Sequence, residues 1–210
     1  MSINKVSNKE QELFNFKLHK IFDVSAIQNH VLKYNNEWDI NTNRQRMFPM
    51  HSATTSYHFV QTTNFRFGDV YKPRFTDTDP KMWSLIYPII SEFEINVNGK
   101  VGKTLFILLP KGKEVEPHAD GGDYLDLIRR FHIPIITNPQ VEFKISDETI
   151  NMKVGECWEI NNNRVHSVSN KGDSDRIHLL FDIMPNWVIE SAGKIDTSKR
   201  ETQITDPNHI

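Results

Sequence analysis

The chain has 210 residues, 38% of them hydrophobic and 25% charged, with a formal net charge of −2. This is the makeup of an ordinary soluble globular protein with enough length for one well-buried domain, and the near-neutral charge excludes bulk attraction to nucleic acid or to an anionic membrane surface. A single cysteine, Cys157, excludes an internal disulfide and fits a reducing compartment.

Met1 to Glu12 is polar and reads as a loose arm without the apolar stretch of a signal peptide. No apolar run approaches the ~20 residues of a transmembrane helix, so the sequence predicts a cytoplasmic protein. Partial alternation from Leu13 to Leu18, ending near Ile21-Phe22, predicts a first strand. Val24, Ile27, Val31, Leu32 and Trp38 recur at near-helical spacing and predict an amphipathic helix through Asp39, with Asp23 or Ser25 as its cap. Tyr57 to Gln61 suits a strand, and Phe65 to Thr78 reads as a long irregular connection of the kind that often serves as a lid or binding loop. Asp79-Pro80 opens a second helix whose apolar stripe is Trp83, Ile86, Tyr87, Ile90 and Phe93. Pro88 falls inside that stripe and is expected to kink or split it.

After Asn98-Gly99 the pattern changes to short strands with turn residues between them. The expected strands are Val101 to Pro110, Arg129 to Thr137, Val141 to Ile145, Thr149 to Met152, Glu156 to Ile160, Val165 to Ser169 and Arg176 to Met184. Such a run predicts an antiparallel sandwich or barrel. Cys157 opens one of these strands, where a packed structural thiol is expected rather than a nucleophile. No linker divides the chain, so one domain is expected over residues 1–190, with its barrel core at about 101–185 and a polar tail at 191–210.

The chemistry concentrates between Pro117 and Asp182. His118 and Asp120 form a His-x-Asp pair, and residues two apart on a strand face the same way. Ala119 between them is small, and Gly121-Gly122 allows a sharp turn beyond. His166 supplies a second histidine from another strand. Two histidines and one carboxylate are the ingredients of the facial triad that holds non-haem Fe(II) and leaves positions open for a cosubstrate and O2. Arg176 follows ten residues after His166, across the turn-rich Asn170 to Asp175. A hairpin there would make His166 and Arg176 cross-strand partners, aiming an arginine fork at the same interior for the far carboxylate of a 2-oxo acid. His178 and Asp182 share the parity of Arg176.

From Lys103 to Pro185 the chain resembles the aspartyl/asparaginyl beta-hydroxylase family of Fe(II)/2-oxoglutarate oxygenases, which also contains bacterial free-proline hydroxylases. The matching pieces are Pro117-His118-Ala119-Asp120, Arg129 through Pro134, Gly155 through Ile160, Val165 through Asn170, and Arg176 through Pro185. The resemblance implies a double-stranded beta-helix, a cupin-like jelly-roll barrel, mostly β with flanking helices. It implies iron ligation by His118, Asp120 and His166, and Arg176 as the clamp on the C5 carboxylate of 2-oxoglutarate. Arg130 and His132 match an Arg-x-His element that lines the family's active site, one member of which approaches the C1 carboxylate of the cosubstrate or the substrate. Their shared parity agrees. The animal peptidyl-aspartyl enzymes lack the carboxylate ligand that this chain keeps as Asp120, which moves the expectation toward the amino-acid-hydroxylating branch.

The expected cofactors are therefore Fe(II), 2-oxoglutarate and O2, and the expected partner is a small amino acid or a peptide or protein. Neither nucleic acid nor a membrane is expected, and the sequence leaves the oligomeric state open. Phe106, Leu108 and Trp158 are candidate pocket walls. Arg44, Arg46, His51 and the Phe65-to-Phe75 loop are candidate substrate contacts. The competing expectation is a cupin that binds metal or a small ligand without oxygenase chemistry, as a sensor or isomerase; such a barrel has no need of a carboxylate clamp at Arg176.

Overall fold

The computed structural model describes residues 13–34, 38, 46, 48–62, 65–76 and 79–193. The arm Met1 to Glu12, the helix end at Asp39, Arg44 and the tail from Lys194 to Ile210 lie outside the described residues. Among the described residues the strands run β1 Phe16–Ile21, β2 Thr55–Gln61, β3 Arg74–Phe75, β4 Gly99–Leu109, β5 Glu114–His118, β6 Arg129–Ile136, β7 Val141–Ile145, β8 Glu148–Ile150, β9 Glu156–Ile160, β10 His166–Asn170 and β11 Arg176–Pro185. Among the described residues the α-helices are α1 Ser25–Val31, α2 Pro80–Val97, α3 Asp123–Leu127 and α4 Asn186–Ile189. Among the described residues no helix is long and apolar enough to cross a membrane.

The strands form two antiparallel sheets. One has the order β1-β9-β6-β11-β4-β2-β3 and the other β5-β10-β7-β8. This is the jelly-roll, cupin-like architecture. At the centre of the larger sheet, β11 is buried at every position, its polar residues Arg176, His178 and Asp182 included. Pairing with β6 aligns Asp182 with Arg130, Leu180 with His132 and Phe181 with Phe131. Pro134 sits where that register shifts, a position that tolerates a residue without an N–H.

The larger sheet buries both faces. Phe106, Phe131, Ile133, Leu179, Phe181 and Ile183 pack outward into one cluster with Ile27 and Val31 of α1 and Met82, Ile86, Ile89, Ile90 and Phe93 of α2. Val115, Phe143, Ile145, Ile160 and Val168 form a second cluster, which joins the smaller sheet to the inner face. Helix α2 opens as expected, with the Asp79 side chain accepting from the Met82 N–H at 2.8 Å and Pro80 in the first turn. Pro88 does not split it. Pro88 and Ser84, whose carbonyl loses its helical partner, both lie on the exposed face, where water can take up that carbonyl. The buried stripe uses Met82 and Ile89, whereas Trp83 and Tyr87 stack on each other at its margin, with ring centroids 5.2 Å apart. Asp23 serves α1 through its own turn, Oδ1 accepting from the Ser25 N–H at 2.9 Å.

Cys157 is fully buried in β9, and burial pushes its thiol well above its ordinary range, so it is an inert packing residue. Beside it Glu159, also fully buried, accepts from Arg129 Nε and Nη2 at 2.6 Å each and pairs with His19 Nε2 at 2.8 Å, bridging three strands. Burial alone would raise this carboxyl; Arg129 and His19 outweigh it and hold Glu159 below the usual carboxylate range. A depressed carboxyl contributes stability above its unfolded value near pH 4.5, and that contribution is lost as pH falls through the folded value. Glu159→Gln, which leaves the half-buried Arg129 against a neutral group, is expected to destabilise the fold at neutral pH by less than the about 3–5 kcal/mol of a fully buried pair and to flatten the acid limb of a denaturation series. An unchanged acid limb would show that the bridge carries no pH-linked stability.

Candidate active site

His118 ends β5 and His166 begins β10, and the two are direct partners across that antiparallel pair. Their rings lie 4.3 Å apart. Asp120 lies two residues past the end of β5, so strand parity is not what aims it. Its backbone N–H donates to the Asn162 carbonyl at 3.0 Å, and Asn162 Nδ2 donates to the Leu125 carbonyl at 2.9 Å, which docks the turn against the loop before β10. Gly122 takes the left-handed turn at φ +100°, sending the chain into α3.

The ligand atoms of His118, Asp120 and His166 all lie within 4.8 Å of one another, and His118 Nε2 is 4.0 Å from Asp120 Oδ1. His118 Nδ1 is 2.8 Å from the Glu116 carbonyl, and His166 Nδ1 is 2.9 Å from the Arg164 carbonyl. A carbonyl only accepts, so each Nδ1 carries the proton and each Nε2 keeps a lone pair for a metal. Burial holds His166 below its ordinary range and hence neutral. Burial would raise the Asp120 carboxyl, but Arg130 foremost, with His166, His118 and Lys103, keeps it below the usual range and ionised. Two imidazoles and one carboxylate with their ligand atoms gathered at one point are a donor set suited to Fe(II), so the residues fit the metal.

The triad opens onto a cavity of about 360 Å³ between the sheets. Arg130, His132 and Arg176 line it. The expected hairpin does not form. Arg176 pairs with Leu109 in the larger sheet, while His166 lies in the smaller one, and the two face each other across the core. Asn170 to Asp175 is a crossover between sheets, pinned by Asn138 Nδ2 donating to Asn170 Oδ1 and to the Ser174 carbonyl at 3.0 Å each. Gly172 lies so close to Asn138 that it has no room for a side chain.

Arg176 is 2% exposed, with Nη2 donating to His178 Nδ1 at 2.7 Å and its guanidinium 6.0 Å from the centroid of the Phe143 ring. Burial, with Arg176 and His132 nearby, pushes His178 well below its ordinary range, so this partner orients the guanidinium without cancelling its charge. Arg130 makes a two-pronged pair with the fully buried Asp182, Nε to Oδ1 at 2.9 Å and Nη2 to Oδ2 at 3.0 Å, while Nη1 donates to Asp120 Oδ2.

Other expected residues fall elsewhere. Phe106 and Leu108 face the helices rather than the cavity, and Trp158 packs with Phe16 in the inter-sheet core, where its Nε1 donates to Glu156 Oε2 at 2.9 Å. The opposite parity of β4 supplies the walls, Lys103, Leu105 and Ile107, with Leu180 beside them. His51 lines the cavity, its ring 4.9 Å from that of His118, together with Phe48 and Met50 from the same 3-10 turn at Pro49–His51. Arg46 is exposed and is not among the lining residues. The Phe65-to-Phe75 loop does not line the cavity either; Phe65, Phe67 and Tyr71 pack against Tyr124, Leu127 and Ile128. Sequence reasoning missed Lys103, His58, Leu105, Ile107 and Tyr124. Once the inner face of β4 is known, parity finds the first, third and fourth.

A jelly roll with two histidines and a carboxylate at its mouth defines an iron-dependent oxygenase class. The sequence model of aspartyl/asparaginyl beta-hydroxylases matches residues 28–185, most of the chain, and the protein belongs to that family. It is accordingly a hydroxylase, an oxidoreductase that works with Fe(II), 2-oxoglutarate and O2. No curated protein sequence matches the chain. Among solved structures, the fold is similar to a prolyl-4-hydroxylase from Pseudomonas putida, with a TM-score of 0.57 and 8% identity over 84% of this chain and 96% of that one. It is similar to the viral collagen prolyl hydroxylase of Paramecium bursaria Chlorella virus-1, solved with 2-oxoglutarate, at a TM-score of 0.52 and 11% identity over 83% and 98%. A 2OG-Fe(II) oxygenase family oxidoreductase from Burkholderia pseudomallei matches at 0.50 and 9% identity over 79% and 93%.

Proposed function

We propose that His118 Nε2, Asp120 Oδ1 and His166 Nε2 hold the Fe(II), that Arg176 binds the C5 carboxylate of 2-oxoglutarate, and that the substrate is an amino acid, free or within a peptide. The observation that carries this is the pairing of a three-donor cluster at the cavity mouth with a buried, oriented arginine on the facing sheet. A plain metal-binding barrel gives no account of Arg176.

When bound, the iron supplies the oxidising chemistry: O2 and 2-oxoglutarate are consumed, succinate and CO2 are released, and one oxygen atom enters a substrate C–H bond. The chain's own residues do the rest. Arg176 receives the far carboxylate in a planar fork held in place by His178. His132, 5% exposed and set edge-on to Phe143 at 5.4 Å, flanks the space between Arg176 and the triad and is the cosubstrate's second polar neighbour. Leu105, Ile107, Val168 and Leu180 keep that space apolar and exclude water.

Lys103 takes the role of substrate anchor. It lines the cavity, its Nζ lies 5.7 Å from the centroid of the Tyr124 ring, and its charge acts on Asp120, so it stands on the metal side of the pocket. A carboxylate of the substrate meets Lys103 while Phe48, Met50 and Leu125 receive the apolar remainder. Lys103→Ala is expected to raise the substrate KM roughly 10- to 100-fold, the value of one charged hydrogen bond, with the 2-oxoglutarate KM unchanged. An equal rise in both KM values would remove Lys103 from the substrate site. The substrate itself is found by incubating the protein with Fe(II), 2-oxoglutarate and a panel of amino acids and peptides, and looking for a mass gain of one oxygen. A panel that yields succinate but no oxygenated amino acid or peptide would exclude this substrate class.

A further inference from the structure

We infer that Asp182 and Tyr124 act through Arg130 to fix which oxygen of Asp120 is offered to the metal. This rests on the reading of His118, Asp120 and His166 as ligands. Asp182 is fully buried behind Arg130 and out of reach of any cavity occupant. Its two oxygens lock the guanidinium plane through Nε and Nη2, and the Tyr124 hydroxyl donates to Oδ2 at 3.0 Å while accepting the Lys103 N–H at 2.8 Å. Arg130 Nη1 then donates to Asp120 Oδ2, which leaves Oδ1 on the side of His118 Nε2. A side chain at Gly102 would run into the hydroxyls of both Tyr124 and Tyr71, so the strand is bare at the point where the chain of contacts passes.

The consequence concerns open positions on the metal. Three protein donors leave an octahedral ion room for a chelating 2-oxo acid and for O2. An Asp120 that bound through both oxygens would occupy the position O2 needs. Arg130 prevents this by holding one oxygen back. The same contacts reassign Arg130 itself. Its Nε and Nη2 are engaged by Asp182 and its Nη1 by Asp120, so Arg130 is a positioning residue for Asp120 rather than the receptor of the C1 carboxylate of cosubstrate or substrate.

The test uses the full chain with Co(II) as an oxygen-insensitive probe. Three quantities are read: Co(II) affinity, the Co(II) d–d absorption, and the affinity of the Co(II)-loaded protein for 2-oxoglutarate. Asp182→Asn is expected to weaken Co(II) binding by about 10- to 100-fold, the usual effect of losing an outer-shell partner, and to shift the d–d bands. Its 2-oxoglutarate affinity at saturating Co(II) stays within about 3-fold of wild type, well inside the effect of losing a charged contact. Tyr124→Phe removes only the hydroxyl and is expected to shift both metal readouts in the same direction by less; if Asp182→Asn does not fold, Tyr124→Phe and Gly102→Ala decide. Wild-type Co(II) affinity and spectrum in the folded variants would overturn the inference. So would a tenfold loss of 2-oxoglutarate affinity with an unchanged Co(II) spectrum, which would return Arg130 to the cosubstrate. A wild-type protein that takes up no Co(II) would instead overturn the metal site on which the inference stands.

Discussion

His166→Ala is expected to yield a folded protein that no longer holds Fe(II) and forms no succinate above background. The His166 ring lies at the cavity against those of His118 and Phe143, and among the described residues its hydrogen bond is to the nearby Arg164 carbonyl, so the apolar core behind it is left in place. The loss falls on the metal. Outer-shell changes cost 10- to 100-fold in affinity, and removing one of three direct donors is expected to cost about 1000-fold or more. A Co(II) titration followed by absorption, beside a thermal melt, separates the two effects. A variant with a wild-type melt and wild-type Co(II) affinity would show that His166 is no ligand.

The second large effect belongs to Arg176. Arg176→Ala is expected to leave metal affinity without cosubstrate at the wild-type level and to weaken 2-oxoglutarate binding by roughly 10²- to 10⁴-fold, the worth of two charge-assisted hydrogen bonds in a buried site. Arg176→Lys restores the charge but not the fork and recovers only part of that loss. Because Arg176 and His166 stand on different sheets, the two single variants separate the losses: His166→Ala loses the metal, and Arg176→Ala keeps the metal and loses the cosubstrate. Calorimetry of 2-oxoglutarate binding to the Co(II)-loaded protein checks this. Unchanged 2-oxoglutarate affinity in Arg176→Ala would require the cosubstrate to sit elsewhere.

Much of this site was legible from local pattern. His118, Asp120 and His166 stand in a recognisable order, and parity on β6 puts Arg130 and His132 on one face; both line the cavity. What local pattern does not encode is which sheet a strand joins. Asn170 to Asp175 carries the same turn residues whether it closes a hairpin or carries the chain across the core, and here the buried Asn138 and Asn170 make it a crossover. The pair that does meet across a ladder, His118 with His166, is separated in sequence by four strands, β6 to β9, and no spacing rule reaches that far. Phe106 and Leu108 were misassigned for a related reason. Both faces of β4 are buried, so apolar character alone cannot say which face meets the cavity and which meets α2. The polar support behind the site was least visible. Asp182 shows in the sequence only as an acidic residue with the parity of Arg176 and His178, and its meaning comes from the register that sets it opposite Arg130.

The most direct measurement is succinate formation from 2-oxoglutarate by the purified protein under air with added Fe(II), with and without an amino-acid and peptide panel. The account predicts succinate in proportion to protein, dependent on both Fe(II) and O2, stimulated by at least one member of the panel, and absent in His166→Ala. Succinate that never depends on Fe(II) and the intact protein, under any member of the panel, would contradict it.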